Sequence, residues 1–331
     1  MTTASGANKA GIVIIGRNEG QRLISCLKSI SGLNIDFKHV VYVDSGSNDG
    51  SQSAAENFGA ICLNLDMTCP FSAARARNEG WRYLTEHYSI IEFIQFIDGD
   101  CLLQSEWLQQ ALQHLIKTPR TAVVCGRRRE IYPEKSIYNQ FCDDEWSTPI
   151  GPTLACGGDA LMRVKALQDV DGYTNYFVAG EEPEMCYRMR QRNWQIFRLD
   201  AEMTLHDANI THFKQWWKRA NRAGFAFALS AKEHGKGNEK FGVRQASSSL
   251  AWSGLLIGVL LLSLFSPAML FAVLIFPFQI IRLFLRQQYK SFYGFKSCFF
   301  LMISKLPEAL GVMELIVKTI KKQDYTIIEY K

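Results

Sequence analysis

Short apolar runs alternate with amphipathic stretches along the first hundred residues. Residues 11–15 (GIVII) are apolar and mostly β-branched, as in a strand buried on both faces. Residues 21–30 carry apolar side chains at 23, 24, 27 and 30, a helical spacing. Residues 40–43 predict a second buried strand, 51–58 a helix, 60–65 a third strand, 73–84 a helix and 92–97 a fourth strand. This alternation predicts an α/β fold built on a doubly wound, mostly parallel sheet. Ligands of such sheets sit beyond the carboxyl ends of the strands, where the acidic loops beginning at Asp44 and Asp98 fall. Farther on, 105–117 reads as an amphipathic helix and 121–125 as a strand, while 126–150 is dense in charge and proline and shows no period. The turn Gly157-Gly158-Asp159 leads into a helical piece at 163–170, and a helix at 184–193 precedes a strand at 194–199.

A different pattern takes over after Arg244. No charged residue occurs until Arg282, a run too long for one straight span of roughly 20 residues. Ser266-Pro267 divides it, because proline breaks a helix. Two short helices at 250–265 and 268–284 are expected, as a transmembrane or re-entrant hairpin. Lys236, Lys240 and Arg244 lie before it and Arg282, Arg286 and Lys290 after it, so both ends belong on the cytoplasmic side. Residues 292–320 mix apolar stretches with Lys and Glu, as in a helix lying along a membrane or covering the hairpin. The expected organisation is a disordered N-terminus (1–8), a catalytic domain (9–244), the hairpin (245–286) and a basic amphipathic tail (287–331).

Composition sharpens this picture. The net charge is +5 over 331 residues, and residues 282–331 hold nine Lys/Arg against four Asp/Glu, so the body is close to neutral. A basic tail beside an apolar run suits anionic lipid headgroups. Nucleic acid is excluded as a partner, because the first 200 residues hold no basic cluster interleaved with aromatics. The nine cysteines include no C-x-x-C pair, so zinc and redox motifs are unsupported. The opening MTTASGANKA has no hydrophobic core, and catalysis at the cytoplasmic face of a membrane is the expectation.

Four groups of residues carry candidate chemistry. Asp98-Gly99-Asp100 sets two carboxylates directly after a strand, an arrangement their repulsion disfavours unless a cation is shared. Hard divalent ions, Mn2+ or Mg2+, take such oxygens and bridge them to phosphate. In the loop 44–50 (DSGSNDG), Asp44 can accept hydrogen bonds from a base or ribose, and Asp49 or Ser51 can cap the next helix. Arg75 and Arg77 diverge on a helix, so one is available to a diphosphate and the other to a structural ion pair. For 180–184 (GEEPE), spacing alone gives an acidic helix N-terminus, although a carboxylate there with a raised pKa would make a general base. His206 and His212 flank Asp207, and a histidine after the last strand could complete a metal shell.

The motifs GIVIIGRNEG, VVYVDSGSNDGS, ARARNEG, FIDGD, GGDALMRV and GEEPEMCYRMR, in this order within residues 9–225, resemble the family 2 glycosyltransferases of the GT-A fold. The resemblance implies nucleotide-sugar contacts from Arg17, Asn18, Glu19, Asp44 and Ser45, and a diphosphate and metal site at Asp98, Gly99 and Asp100. It places Gly158 and Asp159 on the acceptor side. The family commonly has a Glu-Asp pair where this chain has Glu181-Glu182, so Glu182 stands at the position of the base, with Glu181 the alternative. The implied activity is inverting transfer of a single sugar, from a donor that is most commonly UDP-linked, to a lipid-linked or saccharide acceptor. Gln215-Trp216-Trp217-Lys218-Arg219 departs from the Gln-x-x-Arg-Trp motif of processive members. Two rival readings are a nucleotide-sugar nucleotidyltransferase and a non-catalytic membrane-bound scaffold. The loop Gly16-Arg17-Asn18-Glu19-Gly20 lacks the glycine density of the first and carries no G-x-G-x-x-G dinucleotide fingerprint.

Overall fold

The computed structural model describes residues 8–33, 35–287 and 290–325. The N-terminal stretch expected to be disordered lies, except for residue 8, outside the described residues. The chain divides into two compact units, Met1–Thr211 and His212–Lys331. The helix after His212, expected within a catalytic domain ending at 244, therefore falls in the second unit.

In the first unit β1 (Ala10–Gly16), β2 (Val40–Asp44) and β4 (Phe93–Asp98) are the apolar runs of the sequence, buried almost throughout. Helix α1 (Gln21–Ser31) buries Leu23, Cys26, Leu27 and Ile30, the face its spacing predicts. Helices α2 (Ser51–Asn57) and α3 (Ala73–His87) alternate with β3 (Ile61–Asn64), as expected. The remaining strands are β5 (Cys101–Leu103), β6 (Thr121–Glu130), β7 (Gly151–Thr153), β8 (Ala160–Arg163) and β9 (Gln195–His206). Helices α4 (Trp107–Lys117), α5 (Ile137–Glu145), α6 (Val164–Asp169) and α7 (Glu181–Gln191) connect them.

The described strands form one sheet in the order β3-β2-β1-β4-β8-β6-β9-β5, with β7 on β9. Pairing is parallel from β3 to β4 and between β6 and β9. It is antiparallel where β8 enters and at β5 and β7. Register positions the site. Gly16 pairs with Asp44 and Ile15 with Asp98, so three strand ends meet. The antiparallel β8 starts beside the end of β4, with Ala160 opposite Phe96. His206 ends β9 opposite Cys101 and Glu130.

The sequence reading stopped β6 at 125 and β9 at 199, short of their ends, and left out β5, β7 and β8. Each omission has one cause. The missed segments (GRRRE, CLL, GPT, ALMR, DAEMTLH) are short or interrupted by polar residues, although Cys101, Leu103, Ala160, Leu161, Met162 and Met203 are buried in the core.

The second unit is helical. It contains α8 (Phe213–His234), α9 (Val243–Ser263), a 3-10 segment (Pro267–Leu274), α10 (Ile275–Leu285), α11 (Phe292–Ile303) and α12 (Lys305–Ile320). The break at Ser266-Pro267 is where the sequence predicts it, whereas the single helix expected over 292–320 is two, divided at Ser304. Helices α8 and α12 approach so closely that a Cβ on Gly224 would run into the Glu308 carbonyl oxygen. The buried Glu308 side chain accepts from Ser249 of α9, from Ser304 at 2.7 Å and from Lys305 at 2.6 Å. Ser253 of α9 donates to the Lys305 carbonyl at 2.8 Å. By length and composition, Val243–Ser263 and Pro267–Leu285 could each cross a membrane. Their mean hydropathies are 1.6 and 2.2, and in the second only 6% of the most apolar window is buried.

Candidate active site

Loops 16–20 and 44–50 are tied together before any ligand arrives. Ser45 N–H donates to the Gly16 carbonyl at 3.1 Å, Asn18 N–H to Ser47 Oγ at 2.9 Å, and Asn48 N–H to Asn18 Oδ1 at 2.9 Å. Asp44, 1% exposed, accepts from Tyr42 O–H, from Gly46 and Ser47 N–H and from Gln52 Nε2. Burial pushes its pKa up, but these donors, Ser47 foremost, hold it below the ordinary value. Its carboxylate is thus turned into its own loop. Asp49 accepts from Ser51 N–H at 3.0 Å, but the N-cap of α2 is Gly50 and not either of the two residues expected there, because the left-handed turn at this point suits glycine. Arg17 is exposed, with its guanidinium over the Phe71 ring at 4.7 Å, and Glu19 pairs with Arg22 at 2.8 Å.

The two arginines of α3 do part ways. Arg75 donates to the carbonyls of Asp66, Cys69 and Pro70, clamping the loop before the helix. Arg77 is 2% exposed and grips three carboxylates: Asp98 at 2.9 Å, Glu182 at 2.8 Å and Glu181 at 3.2 Å. Asp98 is held from its other side by Arg128 of β6 at 3.3 Å. Burial drives the Asp98 pKa up, and the guanidiniums of Arg77 and Arg128 outweigh it, leaving the group below its ordinary value.

Gly158 and Asp159, expected on the acceptor side, both pack against Asp98. A Cβ on Gly158 would come 2.6 Å from Arg77 Nη2 and 3.0 Å from Asp98 Oδ2, so only glycine lets this turn close over the pair. Asp159 is fully buried, so it lines no wall open to an acceptor. It accepts from the Asp98 N–H at 3.1 Å and from Thr204 Oγ1 at 2.7 Å, and pairs with Arg128 at 3.3 Å. It buttresses Asp98.

Asp100 and His206 meet as the sequence suggested, with His206 Nε2 3.2 Å from Asp100 Oδ2, whereas His212 starts the second unit as the N-cap of α8. Ligand atoms of Asp100, Cys101 and His206 lie within 4.8 Å of one another, and so do those of Asp98, Cys101 and Asp159. Burial pushes the Cys101 thiol well up, so a thiolate forms there only where an ion displaces its proton. The other donors are carboxylate oxygens and one imidazole, which fit a hard or borderline divalent ion. Charge points the same way: Asp98, Asp100, Asp159, Glu181 and Glu182 stand against the guanidiniums of Arg77 and Arg128, and buried carboxylates in excess call for a cation.

Helix α7 settles the carboxylate cluster of residues 181–184. Glu184 is structural, bonded to Arg188 at 2.7 Å and Thr174 at 2.9 Å. Glu181 is 4% exposed. Glu182 keeps 13% of its side chain open, and burial together with the Glu181 charge raises its pKa to about 7 despite Arg77.

Sequence reasoning missed Arg128, Thr204 and Trp146. The Trp146 ring lies 5.0 Å from the Arg128 guanidinium and 5.0 Å from the His206 ring. The available signal was Arg127-Arg128-Arg129 following a buried strand. Continuing that strand would have sent successive arginines to different surroundings, as the pairing of Arg127 with Asp143 and of Arg129 with Glu202 shows.

Known proteins resemble this chain in sequence and in fold. Residues 11–170 match the family model described as glycosyl transferase family 2. The pre-mycofactocin glycosyltransferase of Mycobacterium tuberculosis is 24% identical over 236 residues, which cover 67% of this chain and 47% of that protein. Glycosyltransferase AglE of Haloferax volcanii is 24% identical over 195 residues, covering 56% of this chain and 62% of AglE. The chain thus spans about half the length of the first of these relatives and under two thirds of the second. The mannosyltransferase PcManGT from Pyrobaculum calidifontis, solved with GDP-Man and Mn2+, shares the fold with a TM-score of 0.64 at 18% identity. That likeness covers 92% of this chain and 87% of PcManGT.

Proposed function

We propose, from the match of residues 11–170 to the glycosyl transferase family 2 model, that the chain is an inverting, metal-assisted glycosyltransferase. It moves one sugar from a nucleotide-sugar, UDP-linked by the resemblance of its motifs, to a hydroxyl of a lipid-linked or polysaccharide acceptor. The observation that carries this reading is Glu182, a partly open carboxylate with a pKa of about 7. One guanidinium joins it to Asp98, the first carboxylate of the Asp-Gly-Asp pair.

A carboxylate titrating near 7 is matched to removing a proton from a hydroxyl. Glu182 takes that proton as the acceptor oxygen bonds to the anomeric carbon. The carbon–oxygen bond to the diphosphate breaks on the opposite face, and one displacement inverts configuration. Arg77 fixes where Glu182 points, and the Asp159–Thr204 pair fixes Asp98. Asp98, Asp100 and His206 would hold the divalent ion, which neutralises charge on the departing nucleoside diphosphate. Mn2+ in PcManGT supports that choice. Binding of a panel of UDP- and GDP-sugars, with Mn2+ and then with chelator, tests the reading. Chelator-sensitive binding of one donor is expected, and no binding to any donor would overturn it.

The apolar pair Val243–Ser263 and Pro267–Leu285 enters a membrane in this reading, with the first unit in the cytoplasm. Basic residues on both flanks support that orientation. Release of the full chain from membranes by alkaline carbonate would count against insertion.

A further inference from the structure

Three arginines stand near the strand ends, and they are not equally committed. Arg75 is spent on three loop carbonyls. Arg77 is nearly closed to solvent and is gripped at 2.8 and 2.9 Å, with Glu181 as a third partner. Arg128 is held loosely. Its contacts to Asp98 and Asp159 are both 3.3 Å, its Nη2 lies 3.4 Å from the Cys101 sulfur, and 13% of its side chain is open. These distances exceed the best for a charge-assisted hydrogen bond. Its Nε–H, like that of Arg77, is buried with no acceptor among the described residues, which is costly for a group that could be satisfied. What sets Arg128 apart is therefore its longer contacts and its more open side chain. One face of the guanidinium is backed by Trp146 at 5.0 Å, so a ligand could reach it only through the 13% of the side chain that is open or after it leaves Asp98.

The partners of Arg128 differ too. Asp159 has two other donors, the Asp98 N–H and Thr204 Oγ1. Asp98 is a carboxylate assigned to the divalent ion. A cation bound there competes with Arg128 for the same oxygen charge. A guanidinium displaced from Asp98 needs another anion within reach, and a planar fork with an unused Nε–H matches two oxygens of one phosphate.

We propose that Arg128 is a stand-in for the cation in the ligand-free site and the positioning guanidinium for the donor's diphosphate in the loaded one. This rests on the glycosyltransferase reading and adds to it a residue and an exchange. The two halves predict opposite signs for one substitution. Removing the positive charge leaves Asp98 and Asp159 more strongly negative, so Arg128→Gln should bind Mn2+ alone about threefold to tenfold more tightly than wild type. The same variant, saturated with Mn2+, should bind UDP or GDP about tenfold or more weakly. Arg128→Lys keeps the charge but not the fork. It should leave Mn2+ affinity near wild type and give an intermediate nucleotide affinity.

The experiment is calorimetric titration of the full-length protein and both variants, first with MnCl2 alone and then with UDP and GDP at saturating Mn2+. Circular dichroism confirms that each variant is folded. Opposite shifts in the two arms for Arg128→Gln support the proposal. A variant weakened in both arms, or changed in neither, overturns it, and if Arg128→Gln does not fold, Arg128→Lys with wild-type nucleotide affinity does the same. Wild-type protein that binds neither nucleotide overturns the functional reading itself, and the inference with it.

Discussion

In the unit Met1–Thr211 the apolar side chains lie inside, and five carboxylates and two guanidiniums collect at the strand ends. In His212–Lys331 the order is reversed. Leu264, Phe265 and Phe271 are more than three quarters exposed, while Ser249, Ser253, Ser304 and Glu308 are buried. Each unit is built for its surroundings. A water-facing sheet can concentrate charge at one edge because solvent, a cation and a phosphate screen it there. The second unit includes two helices long and apolar enough to cross a membrane, and helices in an apolar solvent must hide their polar groups among themselves. The same chemical group therefore sits in different settings: in the first unit Asp98, Glu181 and Glu182 gather on one guanidinium, whereas Glu308 in the second takes hydrogen bonds that tie helices together.

Substitutions can break or sharpen that contrast. The largest effect is expected at Glu182. Glu182→Gln should lower the transfer rate by about 10²–10⁴-fold, the range for losing a general base, with donor affinity preserved by calorimetry. A variant that turns over normally would remove Glu182 from the mechanism. Asp100→Ala comes next, with Mn2+-dependent donor binding weakened by about tenfold to a hundredfold. Equal binding with and without chelator in the wild type would contradict the metal assignment.

The pH profile follows. Because the Glu182 pKa is raised to about 7, the base is unprotonated only above that value. The rate should fall about tenfold per unit below it and level off above it. The same shift makes the folded chain bind more protons than the unfolded one between its ordinary value of 4.5 and about 7, so the contribution of Glu182 to stability is lost as pH rises through that window. Glu181→Gln removes a like charge and should move the limb of the profile to lower pH. Loss of transfer across the whole pH range in that variant would show that Glu181 is the base. In the second unit, Gly224→Ala forces α8 and α12 apart and should cost about 1–3 kcal/mol, as overpacking does, read as a lower melting temperature. Donor affinity should be unchanged, and its loss would mean that the two units are not separable in function.

How much of this was legible beforehand follows the same division. Strands β1, β2 and β4 could be read because both faces are apolar, so no other element suits them. The break at Ser266-Pro267 could be read for a local reason, the chemistry of proline. Asp98, Asp100 and His206 were found by their place after strands. Arg128, Thr204 and Trp146 were not, since they meet only when β6, β9 and the end of α5 come together. Asp159 illustrates the limit most directly. Its motif carried a functional expectation, and burial converts it into a support beneath Asp98.

The threefold grip of Arg77 has a further consequence, for how damage at this site combines. The guanidinium joins α3, the end of β4 and the start of α7, so Asp98, Glu181 and Glu182 share one counter-charge, and a change at any of them alters the electrostatics felt by the other two. Losses from single substitutions among these residues will fail to multiply in the double and triple variants. To natural variation the cluster behaves as one locus, where a change at one position alters which residues are acceptable at the others.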